Sequence, residues 1–365
     1  MSVQATVFIY SVAGDPHAAT LAWALRKNSV PCRLHASIRE DEGTRLSIHM
    51  GEAADTVICD GLDTTDIRSV WYRRPLKPEA GPCHEADRGF IEGQWQYLQK
   101  NVFDVADNLV HALWVNRPRA ANFAESKLAQ LQAARAAGLQ IPETVIGNHA
   151  PAIAALIQRF GKVVFKTFYP HSWLSERSGT MYDAGVALLD SDSDLPEQAI
   201  ALSPGIYQRY IEKAFDVRVT IIGHKLFAAK IQKAAGEAYV DWRPHSYDED
   251  IRFESFAMGT TLEAKLRSLM DLLGIVFGCL DLAVDHLGNV YFLEVNQAGQ
   301  FLFMEEALPE LPLTRAMAAM LSSGRIDYGL GDCIEVKLAD YLETEEYRSL
   351  APTPSNIAPR IAMEP

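Results

Sequence analysis

The chain lacks the paired cysteines that a disulfide framework or a structural zinc site requires. Its five cysteines are widely scattered and include no CxxC pair; they are Cys32, Cys59, Cys83, Cys279 and Cys333. This usage fits a reducing compartment. The first residues lack a basic segment followed by an apolar core, so no signal peptide is expected. The longest apolar run, near Leu272–Leu280, is too short to cross a bilayer. We therefore expect a cytoplasmic protein.

Positive charge is also scarce. Thirty-four Lys and Arg against 47 Asp and Glu give a net charge of −13, which argues against binding to nucleic acids or to anionic membranes. The 365 residues, 48% of them hydrophobic, are typical of an ordinary globular protein of two or three packed units. A homodimer is compatible with the sequence.

The familiar nucleotide and hydrolase motifs are missing. The sequence has no GxxxxGK loop, no GxGxxG after a strand, no HExxH and no convincing nucleophile elbow. A nucleotide-binding site in this chain would therefore have to be built from other sequence motifs.

What the chain does contain is a segment, Gly278–Phe303, that predicts a β-hairpin carrying metal-ligand oxygens. Two strand-like runs flank the turn His286–Asn289. An even turn would place Asp281 directly opposite Glu294, whereas a three-residue bulged turn would break that pairing. Asn296 would share the face of Glu294. Opposed carboxylates repel, but Mg²⁺ or Mn²⁺ would turn them into a binding site. The alternative is an exposed strand with scattered acids.

The rest of the pattern alternates between strands and helices. The first 115 residues predict a small open α/β domain; its strands are Thr6–Val12, Cys32–Ile38, Thr56–Cys59 and Ser69–Tyr72, and its first helix is His17–Asn28. Single helices are expected over Phe90–Trp114, Asn122–Leu139 and Thr261–Phe277. Later strands are expected at Thr144–Ile146, Val163–Phe168, Val186–Leu189, Gly205–Glu212 and Val217–Lys233, the last turning at Gly223 and His224. The polar segment Tyr169–Thr180 is expected to be mobile, and the residues from about Ser349 to form a loose tail.

Several cations accompany these elements. Lys166 lies in the middle of a strand, where a buried ammonium needs a partner such as phosphate; an edge-strand lysine is the alternative. Arg218 and Lys230 fall on facing arms of the hairpin around Gly223, and Arg243 follows an aromatic residue. Cations gathered around an acidic metal hairpin are typical of a phosphoryl-transfer site.

The order of these residues resembles the ATP-grasp superfamily of carboxylate–amine and carboxylate–hydroxyl ligases. The likeness runs from Lys127 through GLQIPET, VVFK, YQRYIE, DVRVTIIGHKLFAAKI, DWR and CLDLAVD to FLEVN, about two-thirds of the chain. VWYRRP at Val70–Pro75 and FLEVNQAGQFLFMEE further resemble the graspetide macrocyclases, which make microviridin-like ω-ester and ω-amide peptides. Gln297 departs from the superfamily, where many members have Pro or a small residue.

The resemblance implies roles for individual residues. Lys127 and Lys166 would hold the ATP phosphates, the backbone of Arg209 and Tyr210 would meet adenine, and Asp216 or Glu212 would meet ribose. Asp281, Glu294 and Asn296 would ligate Mg²⁺, or Mn²⁺ in its place. Arg218, Lys230 and Arg243 would act at the phosphate or the substrate acid. Arg73 and Arg74 would bind the substrate, and the loop Ser172–Gly179 would be the lid.

The implied fold is α/β, an ATP-grasp fold preceded by a small open α/β domain. Its expected parts are residues 1–115, a central subdomain with the lid at 116–203, a metal-binding subdomain at 204–330, and a C-terminal helix and tail at 331–365. The implied reaction activates side-chain carboxylates of a precursor peptide, with a leader and an acidic core, as acyl phosphates. Ser, Thr or Lys side chains then close macrolactones or macrolactams. Two alternatives stay open: an amino-acid ligase, of glutamate type, acting on a protein tail or small molecule, and a catalytically silent nucleotide- or peptide-binding protein.

Overall fold

The computed structural model describes residues 6–39, 41, 43–52, 55–59, 62–168, 172–174, 181–183, 186–193, 195–233, 240, 242 and 251–350. The strands are β1 (Thr6–Tyr10), β2 (Cys32–His35), β3 (Leu46–Met50), β4 (Asp55–Cys59), β5 (Leu62–Asp63), β6 (Ile67–Tyr72), β7 (Leu113–Val115), β8 (Thr144–Gly147), β9 (Val163–Lys166), β10 (Ser172–Leu174), β11 (Met181–Asp183), β12 (Val186–Leu189), β13 (Gly205–Arg209), β14 (Lys213–Ile222), β15 (Lys225–Lys233), β16 (Ile251–Ser255), β17 (Phe277–Asp285) and β18 (Val290–Asn296). The helices are α1 (Pro16–Lys27), α2 (Glu85–Asp104), α3 (Ala106–Leu109), α4 (Pro118–Glu125), α5 (Lys127–Ala136), α6 (Ala150–Phe160), α7 (Glu197–Leu202), α8 (Thr260–Leu273), α9 (Leu302–Ala307), α10 (Leu313–Ser323), α11 (Leu338–Leu342) and α12 (Glu345–Leu350).

The N-terminal part is built on a four-stranded parallel sheet, in the order β2-β1-β6-β7. Strand β1 is buried along its whole length, as expected for a central parallel strand. Helix α1 follows it because Asp15 caps the helix by accepting from the N–H of His17, and Pro16 occupies the first turn. A second small sheet, β3-β4-β5, adds strands to this part of the chain.

Two antiparallel sheets follow. The central sheet has the order β12-β9-β13-β8, so β9 is an inner strand. The C-terminal sheet has the order β16-β15-β14-β17-β18, and its β14–β15 hairpin turns at Gly223 and His224 as predicted. Strands β10 and β11 form a separate antiparallel pair.

One predicted helix, Phe90–Trp114, was wrong at its C-terminal end. Helix α2 ends at Asp104, and Trp114 lies in β7. Leu113–Val115 pairs in parallel with β6, opposite Ser69, Val70 and Trp71. Because a short apolar run suits either a helix or a buried strand, this sheet pairing decides the outcome.

The helix predicted over Asn122–Leu139 was also wrong, because two helices occupy it. The backbone of Ser126 is extended, with φ −67° and ψ 114°, so α4 ends there. The Ser126 side chain then accepts from the N–H of Ala129 and caps α5. Serine is among the preferred N-cap residues, and this cap places Lys127 in the first turn of α5.

The β17–β18 hairpin reaches the predicted pairing by a different route. Its turn places three residues, His286 to Gly288, between Asp285 and Asn289, and Gly288 has φ +83°. Such a turn was expected to displace Asp281 from Glu294. An extra residue in β18, Leu293, shifts the register between Asp281 and Leu282, and Asp281 pairs with Glu294 after all.

The largest core joins the N-terminal sheet to the C-terminal sheet. Its buried members include Ile9 and Trp71 from the first sheet and Phe277, Phe301 and Met304 from the C-terminal part. A second core lies where α5 and α8 cover the other face of the C-terminal sheet. The central sheet has a smaller core of its own around α6. None of the described helices is long and apolar enough to span a bilayer.

Candidate active site

A cleft of about 870 Å³ lies where the three sheets meet. Its walls come from the end of β6, from α4 and α5, from β9 and β13 of the central sheet, and from β14, β17 and β18. The predicted residues that line it are Arg73, Arg74, Lys127, Lys166, Arg209, Tyr210, Asp216, Asp281, Glu294 and Asn296.

The opposed carboxylates of the β17–β18 hairpin both line this cleft. Asp281 is 5% exposed and pairs across the ladder with Glu294, which is half-buried. Asn296, two residues beyond Glu294, is exposed at the same wall. The hairpin therefore presents three oxygen-bearing side chains to one space.

Each of these carboxylates is held by a cation. Arg218 Nη1 lies 2.8 Å from Asp281 Oδ1, and both side chains are almost completely buried. Arg218 Nη2 also donates to the carbonyl of Gln300 at 3.0 Å, and the guanidinium lies 5.9 Å from the ring of Phe303. Lys127 Nζ lies 2.6 Å from Glu294 Oε2. These pairs offset the repulsion between the two carboxylates.

The donor set fits a hard divalent cation. Two carboxylates and one amide oxygen are ligands that Mg²⁺ accepts, with water or phosphate oxygens completing its shell. In the described part of the chain, no cluster of three or more His, Cys, Asp and Glu side chains could hold a metal. Asn296 supplies the third oxygen-bearing side chain of the predicted set.

Lys166 lies on the opposite wall, in the inner strand β9, so the edge-strand alternative was wrong. It is half-buried, and its Nζ donates to Gln208 Oε1 at 3.0 Å. Gln208 Nε2 in turn donates to the hydroxyl of Thr144 at 3.1 Å. The hydrogen bonds through Gln208 and Thr144 hold the ammonium group of Lys166 at the wall of the cleft.

The residues predicted to meet the nucleoside are divided between two spaces. Asp216 is 4% exposed, lines the main cleft and pairs with Lys213 at 2.7 Å. Glu212 is exposed and lines a neighbouring cavity of about 560 Å³. The N–H groups of Arg209 and Tyr210 donate to the carbonyls of Glu143 and Lys162. A contact of these N–H groups with adenine would require them to leave those carbonyls.

Lys230 is not brought together with Arg218. It pairs across the ladder with Val217, the neighbour of Arg218, so the two side chains point to opposite faces of the sheet. Its Nζ lies 3.5 Å from Glu254 Oε2 and 4.9 Å from the ring centre of Phe215. Arg243 and most of the predicted lid lie outside the described residues; the described lid residues form β10, which pairs with β11 beyond the lid.

The two arginines of VWYRRP have different surroundings. The Arg73 guanidinium is completely buried, 5.1 Å from the ring of Trp71, and bound to the carboxylate of Asp15. It also donates to the carbonyls of Ala298 and Gly299, at 3.2 and 3.1 Å. Arg74 is exposed and lines the cleft. Arg73 therefore joins parts of the fold, and Arg74 is the member placed to meet a ligand.

His17 holds the same segment from the other side. Its Nε2 accepts from the N–H groups of Phe301 and Leu302, at 2.9 and 3.3 Å, at the start of α9. Burial lowers the pKa of His17 to about 4, against the raising effect of its hydrogen bond to Asp15. Neutral His17 is the form that can accept these bonds.

Asp15 is the shared partner of His17 and Arg73. Its burial would raise its pKa, but the bonds from His17, Arg73 and Ser11 and the charge of Arg73 outweigh burial and hold the pKa far below its usual range. Gly299 lies close against β17, because a Cβ there would lie 2.5 Å from Cys279 Cβ. The segment VWYRRP and the Gly-Gln-aromatic segment thus touch each other, through Arg73 and the carbonyls of Ala298 and Gly299.

Sequence reasoning missed three amides that fix the site. Asn116 binds the backbone of Val276, Phe277 and Gln297. Gln130 donates to the carbonyl of Val295 at 2.9 Å and accepts from its N–H at 3.1 Å, as a neighbouring strand would. Gln297 Nε2 donates to Glu125 Oε1 at 3.1 Å. The signal for Gln297 was its departure from the superfamily pattern.

No protein-family model matches the chain, and no curated protein matches it in sequence. Solved structures do match the architecture. The likeness defines the ATP-grasp fold, as the order of motifs predicted.

Three of the matching structures are two ATP-grasp ligases and one macrocyclase. The RiPP-associated ATP-grasp ligase of Chryseobacterium gregarium, in complex with ADP and a leader and core peptide, has a TM-score of 0.72 at 20% identity, over 87% of this chain and 96% of that chain. The macrocyclase MdnC from Microcystis aeruginosa MRC, bound with precursor peptide MdnA, has a TM-score of 0.69 at 20% identity, over 87% and 98%. The ATP-grasp ligase PsnB, complexed with minimal precursor, Mg and ADP, has a TM-score of 0.63 at 20% identity, over 87% and 98%.

Proposed function

We propose that this chain is an ATP-dependent, ADP-forming ligase that closes rings in a ribosomally made precursor peptide. A side-chain carboxylate of the peptide attacks the γ-phosphorus of ATP, the bond to the β–γ bridging oxygen breaks, and ADP leaves with its electron pair. A Ser or Thr hydroxyl or a Lys amine then attacks the acyl carbon and displaces phosphate. The products are macrolactones or macrolactams.

The observation that carries this proposal is the arrangement across the cleft. Asp281 and Glu294 oppose each other on one wall, where Arg218 and Lys127 pair with them, and Lys166 lies on the other wall. Phosphoryl transfer depends on positioning and charge stabilisation, which such a set supplies. The solved structures of the same fold that hold ADP and precursor peptides support the choice of substrate.

The protein's own residues have separate tasks in this proposal. Asp281, Glu294 and Asn296 would hold Mg²⁺, which neutralises phosphate charge when bound. Lys127 and Lys166 would bind phosphate oxygens, Asp216 or Glu212 the ribose, and Arg218 the substrate acid, with Arg243 as a further cation. Arg74 would bind an acidic core, since a chain of net charge −13 needs local positive charge there. A cytoplasmic location, where ATP is supplied, belongs to the proposal.

Mass spectrometry tests it against both alternatives. The chain is incubated with Mg²⁺-ATP and the product of a small neighbouring gene whose core is rich in Ser or Thr and in Asp or Glu. We expect the loss of one water per bond formed. A mass gain would instead indicate amino-acid addition. An unchanged mass with bound nucleotide would indicate a silent binder.

A further inference from the structure

One carboxylate of the cleft is held differently from the others. The acidic residues that line its described walls are Glu125, Asp216, Asp281 and Glu294. The last three each pair with a cation, Lys213, Arg218 and Lys127 respectively, within 2.8 Å. Glu125 is exposed, and no described cation lies within ion-pair distance of it. The negative charge of Glu125 is therefore not neutralised by a described cation, and it faces the cleft.

Glu125 is instead oriented by a neutral amide. Gln297 Nε2 donates to Glu125 Oε1 at 3.1 Å. Because a carboxylate only accepts, the amide nitrogen must face it, and this fixes the amide orientation. Gln297 is 6% exposed, and its Oε1 is buried without a hydrogen-bond partner among the described residues.

That arrangement is unfavourable for stability alone. Leaving a buried acceptor without a partner destabilises the folded chain. Gln297 is also fixed at its backbone, where its carbonyl accepts from Asn116 Nδ2 at 3.1 Å, and it follows Asn296 directly. The amide is therefore anchored to the wall of the predicted metal site and points its donor at Glu125.

The neutral partner matters for chemistry. A carboxylate paired with Arg or Lys is stabilised as the anion and is a weaker proton acceptor. An amide orients the carboxylate without adding a positive charge. Tyr72 lines the same cleft, and its pKa is raised by burial and then by the charges of Glu125 and Asp104. The charge of Glu125 therefore acts within this space.

We propose that Glu125 is the general base of ring closure and that Gln297 is its positioning residue. This inference rests on the proposed function. The O–H bond of a substrate Ser or Thr breaks as the oxygen bonds the acyl carbon, and the proton passes to Glu125. The acyl carbon–oxygen bond to phosphate breaks, and its electron pair leaves with phosphate. For a Lys nucleophile, Glu125 takes the ammonium proton before the amine attacks, and the second proton lost from the nitrogen leaves with the departing phosphate.

The experiment separates acyl phosphate formation from ring closure. Glu125→Gln keeps the shape of the side chain, and Glu125→Asp keeps the carboxylate. Both are assayed with the peptide that the wild-type chain modifies, with and without hydroxylamine, which captures acyl phosphates as hydroxamates without a protein base. Glu197→Gln, an exposed acid on α7, is the matched control.

We expect Glu125→Gln to form hydroxamate at the wild-type rate while ring closure slows by about 10²–10⁴-fold. Glu125→Asp should recover part of the rate, and formate should rescue ring closure in Glu125→Ala. Gln297→Leu should slow ring closure alone, and rescue by Gln297→Asn would assign the effect to the amide donor. ATP affinity and thermal unfolding report whether each variant is folded.

Three outcomes contradict the inference in distinguishable ways. Normal ring closure by Glu125→Gln would remove its role as base. Equal loss of hydroxamate and of rings in a folded variant would place Glu125 in the ATP step instead. Absence of both products from the wild-type chain, with every peptide offered, would reject the proposed function itself.

Discussion

The two walls of the cleft hold their charges in opposite ways. On the C-terminal sheet, Arg218 and Asp281 form an ion pair whose side chains are 5% and 6% exposed. On the central sheet, the half-buried Lys166 donates to a neutral amide, Gln208. Losing one partner of a buried ion pair costs about 3–5 kcal/mol, whereas a neutral hydrogen bond contributes about 0.5–1.5 kcal/mol. The charged groups of the first wall are therefore fixed before a ligand binds. On the second wall, Lys166 can exchange its hydrogen bond to Gln208 for one to a ligand at a small cost in free energy.

The largest effects are expected on the prearranged wall. Asp281→Asn and Glu294→Gln should each lower ring closure by at least about 100-fold, because each removes a charged ligand of the proposed metal. The structure predicts a difference in stability between them. Only Asp281→Asn leaves the buried Arg218 without its counter-ion, so only this variant should unfold at clearly lower urea.

Urea unfolding and peptide mass spectrometry on the same preparations check this pair. Glu294 serves as the control for Asp281, because its partner Lys127 is 26% exposed and can be hydrated. Equal urea midpoints would show that the Arg218–Asp281 pair does not stabilise this wall. Modification at the wild-type rate by either variant would reject the metal assignment.

The next effect concerns the opposite wall. Lys166→Met should weaken ATP binding about tenfold to a hundredfold, since a charged hydrogen bond contributes about 1.5–3 kcal/mol. Unfolding should change little, because Gln208 keeps its bond to Thr144. Lys127→Met should have a milder effect on ATP binding. Calorimetry measures the affinities, and Lys100→Met on the exposed face of α2 is the control. Unchanged affinity in Lys166→Met would leave Lys166 a structural lysine.

A similar loss, confined to the peptide, is expected for Arg74. Arg74→Ala should reduce peptide turnover about tenfold to a hundredfold through a lost guanidinium–carboxylate contact, with ATP affinity near normal. Arg73→Ala should instead lower the stability of the whole chain, because it leaves Asp15 buried without its cation. Turnover, calorimetry and urea unfolding separate the two. If Arg74→Ala turns over peptide normally, the N-terminal domain does not read the substrate through this residue.

The smallest effect tests the support behind the C-terminal wall. The folded pKa of His17 is about 4, below its unfolded value of about 6.5, so the unfolded chain binds the extra proton between these values. Stability should be complete above about pH 6.5 and fall as the pH decreases toward 4. His17→Gln should show a smaller fall, measured by urea unfolding at several pH values. Identical pH profiles for the two proteins would reject this role of His17.

Local patterns predicted more of the site than of its supports. The alternation of β17 and β18 predicted the pairing of Asp281 with Glu294 and the position of Asn296 beyond it, and a strand was found at Lys166. That the three residues bind a metal stays a prediction. The turn between β17 and β18 holds three residues and not the even number that the pairing required. The extra residue Leu293 in β18 restores the pairing of Asp281 with Glu294. A bulge depends on what lies beside the strand, which the alternation of residues within it does not report.

The supports escaped prediction because they join residues far apart in the sequence. Arg73 meets the carbonyls of Ala298 and Gly299, and Gln130 meets Val295, across contacts that no local spacing encodes. The boundary at Ser126 was visible in principle, since serine followed by a new helical turn is a cap signal. Helical periodicity on both sides concealed it.

The contact of Arg73 and His17 with residues 298–302 has a consequence for engineering this chain. The same segment supplies the Gln300 carbonyl that binds Arg218. A chimera that exchanges residues 1–115 would place a foreign surface against that segment. The change would reach the cleft through the hydrogen bond between the Gln300 carbonyl and Arg218. A chimera must therefore exchange two separate segments together: the first 115 residues and the residues that directly follow β18.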